Sequence, residues 1–341
     1  MVVVAAVQQT VPVRLQAIGN VEAYTSVAVK SRVDGQILEV HFREGQEVKK
    51  GEVLFRIDAR PFEAALRQAE AQTQRDIASR DQAASQERRY QELLDKNFVS
   101  KDAYAQYRTN AQTADATSKG SQAALENAKL NLEYTVIRSP IDGYVGRALL
   151  QAGNMVKAND TGSLVVLNQL RPIYVAFALP QGQLPRVRQA MAVGPLTVST
   201  TIPGDSGPPL AGGLTFVDNA VDSSTGTIQL RATFDNAETR LWPGQFVNVT
   251  LTLRTDPAAL VVPDAAIQHG QNGAYVFVVR PDSTVEMRPV VVDRSVAGES
   301  VIASGLSAGE SVVVEGQLRL APGMKVEPHP AGKAPAAGIE S

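Results

Sequence analysis

The feature that most limits how this chain folds is a long interval almost free of helix breakers. No proline lies between Pro61 and Pro140, and Gly120 is the only glycine between Gly51 and Gly143. The interval is rich in Ala, Gln, Glu, Arg and Leu, which lose little freedom in a helix. On either side Gly, Pro and Val dominate, and the pattern turns to short alternating strands. A long helical block is thus set inside a β protein.

Within the block, residues at 3–4 spacing run Phe62, Leu66, Ala69, Thr73, Asp76, Arg80, Ala83, Glu87, Tyr90, Leu94. A second series runs Tyr107, Ala111, Ala114, Ser118, Ser121, Leu125, Ala128, Leu132. Such spacing marks the seam of two packed helices. Between the series, Asn97 suits the end of a helix, and Ser100 is a good N-cap with Asp102 facing the helix dipole. The spacing predicts an antiparallel hairpin with its tip near 97–99, each arm about 50 Å long at roughly 1.5 Å per residue. A small, partly polar seam buries a core poorly and suits a rod that packs on neighbours. A helical subdomain folded on the β part is the plainer alternative.

An internal repeat brackets the block. Ser31-Arg32-Val33-Asp34-Gly35-Gln36-Ile37 recurs as Ser139-Pro140-Ile141-Asp142-Gly143-Tyr144-Val145. The match continues with Gly45 and Gly153, Val48 and Val156, Lys49 and Lys157, and then Leu54 and Leu164. Two copies of one supersecondary unit follow from this, with Asp-Gly expected as a turn and Gly-x-x-Val leading into a strand. As interlocked halves of a small β-sandwich they would hold both ends of the rod side by side.

Beyond the repeat, 228–234 and 246–253 alternate as half-buried strands, with Trp242-Pro243-Gly244 a turn between them. Residues 183–193 are the helical candidate of that half. Stretches 275–279, 286–292 and 311–314 give another small β unit. It is short enough to need completion by an N-terminal strand such as 2–7, bringing the chain ends together. The apolar start at Met1 to Val7 is too short to span a membrane and has no basic residues before it. Residues 327–341, rich in Pro, Ala and Gly, read as a disordered tail.

Composition narrows the chemistry. At 341 residues the chain exceeds one core. Lys plus Arg number 33 against 35 Asp plus Glu, so no basic surplus points to nucleic acid. There is no cysteine, and His41, His269 and His329 are far apart. Met1, Met155, Met191, Met287 and Met324 are dispersed, so no soft-ligand metal site is indicated. Asp34 and Asp142 could be a carboxylate pair, but each precedes a glycine, where Asp serves the backbone of a turn. Asp218-Asn219 and the 222–226 stretch lack the spacing of a calcium loop. No phosphate-binding Gly-x-x-x-x-Gly-Lys and no Gly-x-Ser-x-Gly occurs. The expectation is a protein with no catalytic residues, no cofactor and no bound metal, and not an enzyme.

The paired Asp-Gly and Gly-x-x-Val units resemble the two halves of a biotinyl/lipoyl domain. In carriers of that fold a modified lysine sits in the hairpin linking the halves. Here 60–133 replaces that link, and Lys49, Lys50 and Lys157 read as strand-end charges. A lipoyl fold split by a helical hairpin is similar to the periplasmic adaptors, or membrane fusion proteins, of tripartite efflux pumps. Ile57-Asp58-Ala59-Arg60-Pro61-Phe62 resembles that family's lead-in to the first helix. Pro172-Ile173-Tyr174-Val175-Ala176-Phe177 resembles its first strand after the lipoyl domain. Thr225-Gly226-Thr227-Ile228 and Leu241-Trp242-Pro243-Gly244-Gln245-Phe246-Val247 resemble segments of its β-barrel. Together these matches run from about Val11 to Val326.

The resemblance implies a mostly β chain with a long α-helical hairpin, elongated and multidomain. The implied parts are a membrane-proximal β domain (1–12 and 258–326), a β-barrel (13–26 and 168–257), a split lipoyl-like sandwich (27–59 and 134–167) and the hairpin (60–133). It implies an adaptor linking an inner-membrane, proton-driven transporter of the resistance-nodulation-division (RND) type to an outer-membrane channel, for export of drugs or other small molecules. Copies would associate into a ring, trimer or hexamer. The implied place is the periplasm, held to the inner membrane by a leader or anchor that these residues do not include. An adaptor for an ATP-driven (ABC) exporter is the runner-up, and a biotin or lipoate carrier a distant third. The strands near Gly226 and Phe246, with the terminal β unit, are expected to face the transporter. Arg89, Leu93 and Ser100, spaced Arg-x-x-x-Leu-x-x-x-x-x-x-Ser, resemble the family's contact motif for the outer-membrane channel. The spacing has a physical sense, since Arg89 and Leu93 are four apart on one helix face and Ser100 can open the next helix.

Overall fold

The computed structural model describes residues 1–330 apart from Asn159, Asn272, Leu318 and Arg319. In chain order, strands β1 (Val2–Ala5), β2 (Val7–Val29), β3 (Gly35–Val40), β4 (Glu47–Val48) and β5 (Val53–Ile57) lead to helices α1 (Arg60–Asp95) and α2 (Lys101–Glu133). Strands β6 (Val136–Arg138), β7 (Gly143–Val145), β8 (Met155–Val156) and β9 (Val165–Pro180) precede α3 (Leu184–Val193). Next come β10 (Thr197–Thr201), β11 (Leu210–Asp222), β12 (Thr227–Phe234) and β13 (Phe246–Pro263). The chain then runs through β14 (Gln268–Gly270), β15 (Gly273–Val279), β16 (Val285–Pro289) and β17 (Val291–Val296). It ends with β18 (Glu299–Ser304), β19 (Ser311–Glu315) and β20 (His329–Pro330). Two compact units result, one of Asn20–Ala176 with Arg231–Phe246, the other of Met1–Gly19, Phe177–Leu230 and 247 onward.

In the first unit the two repeat copies interleave. Strand β3 pairs with β8, Gly35 opposite Val156, and β4 pairs with β7, Val48 opposite Gly143. Each Asp-Gly strand thus pairs with the Gly-x-x-Val strand of the other copy. The side chains obey the same exchange. Asp34 Oδ1 accepts the Ala158 N–H at 2.7 Å, and Asp142 Oδ1 accepts the Lys50 N–H at 2.7 Å. Ser31 Oγ donates to the Val33 carbonyl at 2.5 Å, and Ser139 Oγ to the Ile141 carbonyl at 2.6 Å. Neither aspartate faces the other as half of an acid–base pair; each serves a backbone N–H of the opposite copy.

The Asp-Gly pairs are not the turns that the sequence suggested. Gly35 and Gly143 open strands, and a Cβ on them would lie 2.5 Å from Ile57 Cγ2 and 2.7 Å from the Asn168 carbonyl oxygen. Close packing, not a left-handed backbone, demands glycine at both. The turns lie ten residues on, at Gly45 (φ 77°) and Gly153 (φ 94°). The sandwich closes over Ile37, Leu54, Phe55, Val165 and Leu167, all fully buried.

A loop of the same unit carries a polar plug. Asn236, buried and with φ 52°, donates its amide to the Leu170 and Leu241 carbonyls at 2.9 and 3.0 Å and accepts the Leu241 N–H at 3.0 Å. The Trp242-Pro243-Gly244 turn follows, tied to β2 by the Gly244 N–H on the Val21 carbonyl at 2.8 Å. It does not close a hairpin. Strand β13 neighbours β10 rather than β12.

In the second unit β10 lies between β11 and β13, and the far end of β13 pairs with β18. A separate sheet runs β14-β15-β19-β1-β20, with β16 also on β15. As expected, the N-terminal strand completes the C-terminal sheet, β1 lying antiparallel to β19 with Val4 opposite Val312. Residues 329–330, the early part of the expected tail, continue that sheet with Val2 opposite His329. Residues 331–341 lie outside the described residues. Among the described residues no helix is long and apolar enough to cross a membrane, and no cluster of metal-ligating side chains occurs.

Candidate functional site: the tip of the helical hairpin

The hairpin is built from 36 residues of α1 and 33 of α2. Pro61 sits in the first turn of α1, where its missing N–H breaks no bond. Asp58 receives the Arg60 guanidinium at 2.6 Å, and that bond holds its carboxyl below the usual carboxylate range. Every seam position read from the spacing is buried or half-buried, while most flanking positions are exposed. The deepest level is polar. Thr73 Oγ1 lies 2.9 Å from the Ala69 carbonyl and 3.0 Å from the Ser121 carbonyl of the other helix. Asp76 is buried there and accepts the Gln72 amide at 2.9 Å.

Nearer the tip the helices are joined by aromatic side chains. The Tyr90 and Tyr107 rings stack at 3.7 Å, and the Tyr107 hydroxyl donates to that of Tyr90 at 3.0 Å. That bond, with some burial, raises the Tyr107 hydroxyl above its ordinary pKa. Stacking and a hydrogen bond between the same residues fix spacing and register together.

The turn itself is closed by backbone bonds. The Phe98 N–H reaches the Leu93 carbonyl at 2.8 Å and the Asn97 N–H the Leu94 carbonyl at 2.8 Å, while Asn97 takes φ 58°. This is a Schellman ending, with asparagine in the left-handed position. Two residues later Ser100, extended at φ −77° and ψ 157°, accepts the Ala103 N–H on its Oγ at 3.2 Å and starts α2. The turn therefore satisfies donors and acceptors at both helix ends in a handful of residues.

The three residues singled out from the sequence all fall on this end of the hairpin. Arg89 and Leu93 lie in the last two turns of α1, and Ser100 caps α2. Arg89 is exposed and makes no ion pair or side-chain hydrogen bond among the described residues. Leu93 is 37% exposed although its backbone helps to close the turn. An uncommitted guanidinium beside an exposed leucine offers forked donors and a small apolar anchor to another surface. Ser100 accepts the Ala103 N–H in the cap and keeps its own O–H as a donor beside the turn. Sequence reasoning missed Phe98, 74% exposed at the turn. Its signal was there, an aromatic residue in a turn and off both seam series.

Three family models match in succession: "RND MFP, barrel-sandwich hybrid domain" over residues 25–168, "RND MFPs, beta-barrel domain" over 172–255, and "RND MFPs, C-terminal permuted SH3 domain" over 258–319. Multidrug resistance protein MdtA of Erwinia amylovora is 38% identical over 98% of this chain and 84% of its own length. The chain belongs to the RND-type membrane fusion proteins. Among the relatives of this membrane fusion protein, MdtA of Proteus mirabilis is 40% identical over 95% of the chain and 79% of its own length. A MacA–MexA chimera carrying the α-hairpin domain of Pseudomonas aeruginosa MexA matches with a TM-score of 0.63 at 26% identity, over 91% of this chain and 98% of the chimera. MacA of Actinobacillus actinomycetemcomitans shares the fold at 23% identity and a TM-score of 0.60, over 92% of this chain and 99% of its own.

Proposed function

We propose that this membrane fusion protein is the non-catalytic periplasmic adaptor of a proton-driven RND efflux pump, joining the inner-membrane transporter to an outer-membrane channel. The names of the MdtA relatives, multidrug resistance proteins, support drugs as the exported class. Residues 1–12 with 258–326 form the membrane-proximal domain, 13–26 with 168–257 the barrel, 27–59 with 134–167 the lipoyl-like sandwich and 60–133 the hairpin. Copies associate into a ring, trimer or hexamer at the inner membrane. The barrel strands near Gly226 and Phe246 and the membrane-proximal domain meet the transporter. Arg89, Leu93 and Ser100 meet the channel, Ser100 also capping the second helix of their turn.

The observation that carries the channel contact is the uncommitted Arg89 beside exposed Leu93, on a turn tied by the Asn97, Phe98 and Ala103 N–H bonds. A rod end built this firmly, with its charge unspent, serves something outside the chain. Arg89→Glu is expected to abolish drug export at equal protein level while melting temperature and helicity stay within error, since an exposed charge rarely moves stability by more than about 0.5 kcal/mol. Wild-type export by that variant would remove Arg89 from the contact. Co-purification with an ATP-driven transporter instead of an RND transporter would overturn the pump class.

A further inference from the structure

Phe98 is the aromatic side chain most at odds with its surroundings. It is 74% exposed, more than any other phenylalanine, tyrosine or tryptophan among the described residues. In a Schellman ending the residue at this position commonly packs back on the helix, three residues before the cap. That residue here is Leu93, itself 37% exposed, so the chain leaves Phe98 largely uncovered and Leu93 in part. Nor can the turn rearrange cheaply to hide Phe98, because its N–H is committed to the Leu93 carbonyl and the next helix is capped two residues on. The ring is therefore carried by a backbone tied on both sides.

We propose that Phe98 is the apolar anchor of the hairpin's contact with the outer-membrane channel, seated in an apolar pocket on the channel end. The pocket's rim would supply carboxylate or carbonyl oxygens to Arg89. This rests on the reading of the tip given above and extends it from a charged contact to one with a hydrophobic centre. Interfaces draw most of their energy from a few buried aromatic and arginine residues, and a ring on a pre-ordered turn loses little freedom on docking. Leu93 and Phe98 form the centre of the contact and Arg89 its polar edge. Ring size then sets which channels fit, because an apolar pocket discriminates by volume.

The test uses the full chain with a photo-reactive aromatic residue at position 98, or one at exposed position 92 beside Arg89, mixed with the purified outer-membrane channel of the strain in which export is measured. Both positions are expected to cross-link to the channel. Phe98→Ala should weaken channel binding at least about tenfold, with helicity and melting temperature unchanged, and Phe98→Leu should recover most of the loss. Cross-linking from 92 without 98, or wild-type binding by Phe98→Ala, would overturn the anchor and leave the channel contact standing. Cross-linking of 98 to a second copy of this chain would also overturn it. Failure at both positions would remove the channel reading itself, and the anchor with it.

Discussion

Arg288 of β16 donates to Glu286 at 2.9 Å and to Glu310 at 2.6 Å, and Arg280 adds a bond to Glu286 at 3.1 Å. Burial alone would raise the Glu310 carboxyl, but the Arg288 bond and the Ser307 N–H outweigh it and hold it below its ordinary 4.5. Glu286 is lowered too, first by Arg288 and then by Arg280. A carboxyl whose folded pKa is depressed stabilises above its unfolded value and loses that contribution as pH falls through the folded one. Arg288→Met should therefore lower the melting temperature at neutral pH, the Glu310 pair contributing about 1 kcal/mol as a partly exposed pair. The gap between variant and wild type should close progressively below pH 4.5; melting curves at several pH values check it, and a gap independent of pH would mean the lost packing of Arg288 matters more. None of this was legible in the sequence, because residues 288 and 310 meet only through strand placement. Asp34 and Asp142 were legible because a repeated motif marked them, though their partners in the opposite copy were not. Gly35 and Gly143 misled for the same reason: local chemistry says turn, and only the packed neighbour explains the glycine.

At the scale of elements the hairpin was the most readable part. Its seam follows 3–4 spacing over two uninterrupted helices, and burial repeats that spacing from Phe62 to Leu132. What spacing could not supply was contact across the seam, such as Thr73 on the Ser121 carbonyl or the Tyr90–Tyr107 stack. Nor could it show that the Trp242-Pro243-Gly244 turn joins strands that are not neighbours, since sheet order is set by pairings distant in sequence. Asn97 was legible as a helix end, and its left-handed φ of 58° gives a sharp test. A β-branched residue in that region pays a steric penalty of roughly 1–2 kcal/mol, while glycine adopts it freely. Asn97→Ile should lower the hairpin's thermal stability and its channel binding together, and Asn97→Gly should leave both close to wild type. Circular dichroism melts and channel capture measure the two. Tolerance of Asn97→Ile would show that the turn has a second way to close.

At the scale of the whole molecule, the proposed ring makes a prediction that no single chain can. One hairpin tip offers a small contact, an arginine with one leucine and one phenylalanine, far below the size of a stable interface. Several tips held together raise the effective concentration of each for its site on the channel, so weak contacts add into firm attachment without any new contact. The same linkage makes a faulty copy harmful to its neighbours. If Arg89→Glu leaves ring formation intact, as size-exclusion of the variant would show, then mixed rings will form when variant and wild type are expressed equally. Rings free of the variant fall to roughly one in eight for a trimer and roughly one in sixty-four for a hexamer, if subunits mix at random in a closed symmetric assembly. Drug export should then drop well below half, and the steepness of the fall with the share of variant reports the number of copies that must act together. A decline in simple proportion to that share would mean that each chain engages the channel alone, and the ring would go while the adaptor reading stayed.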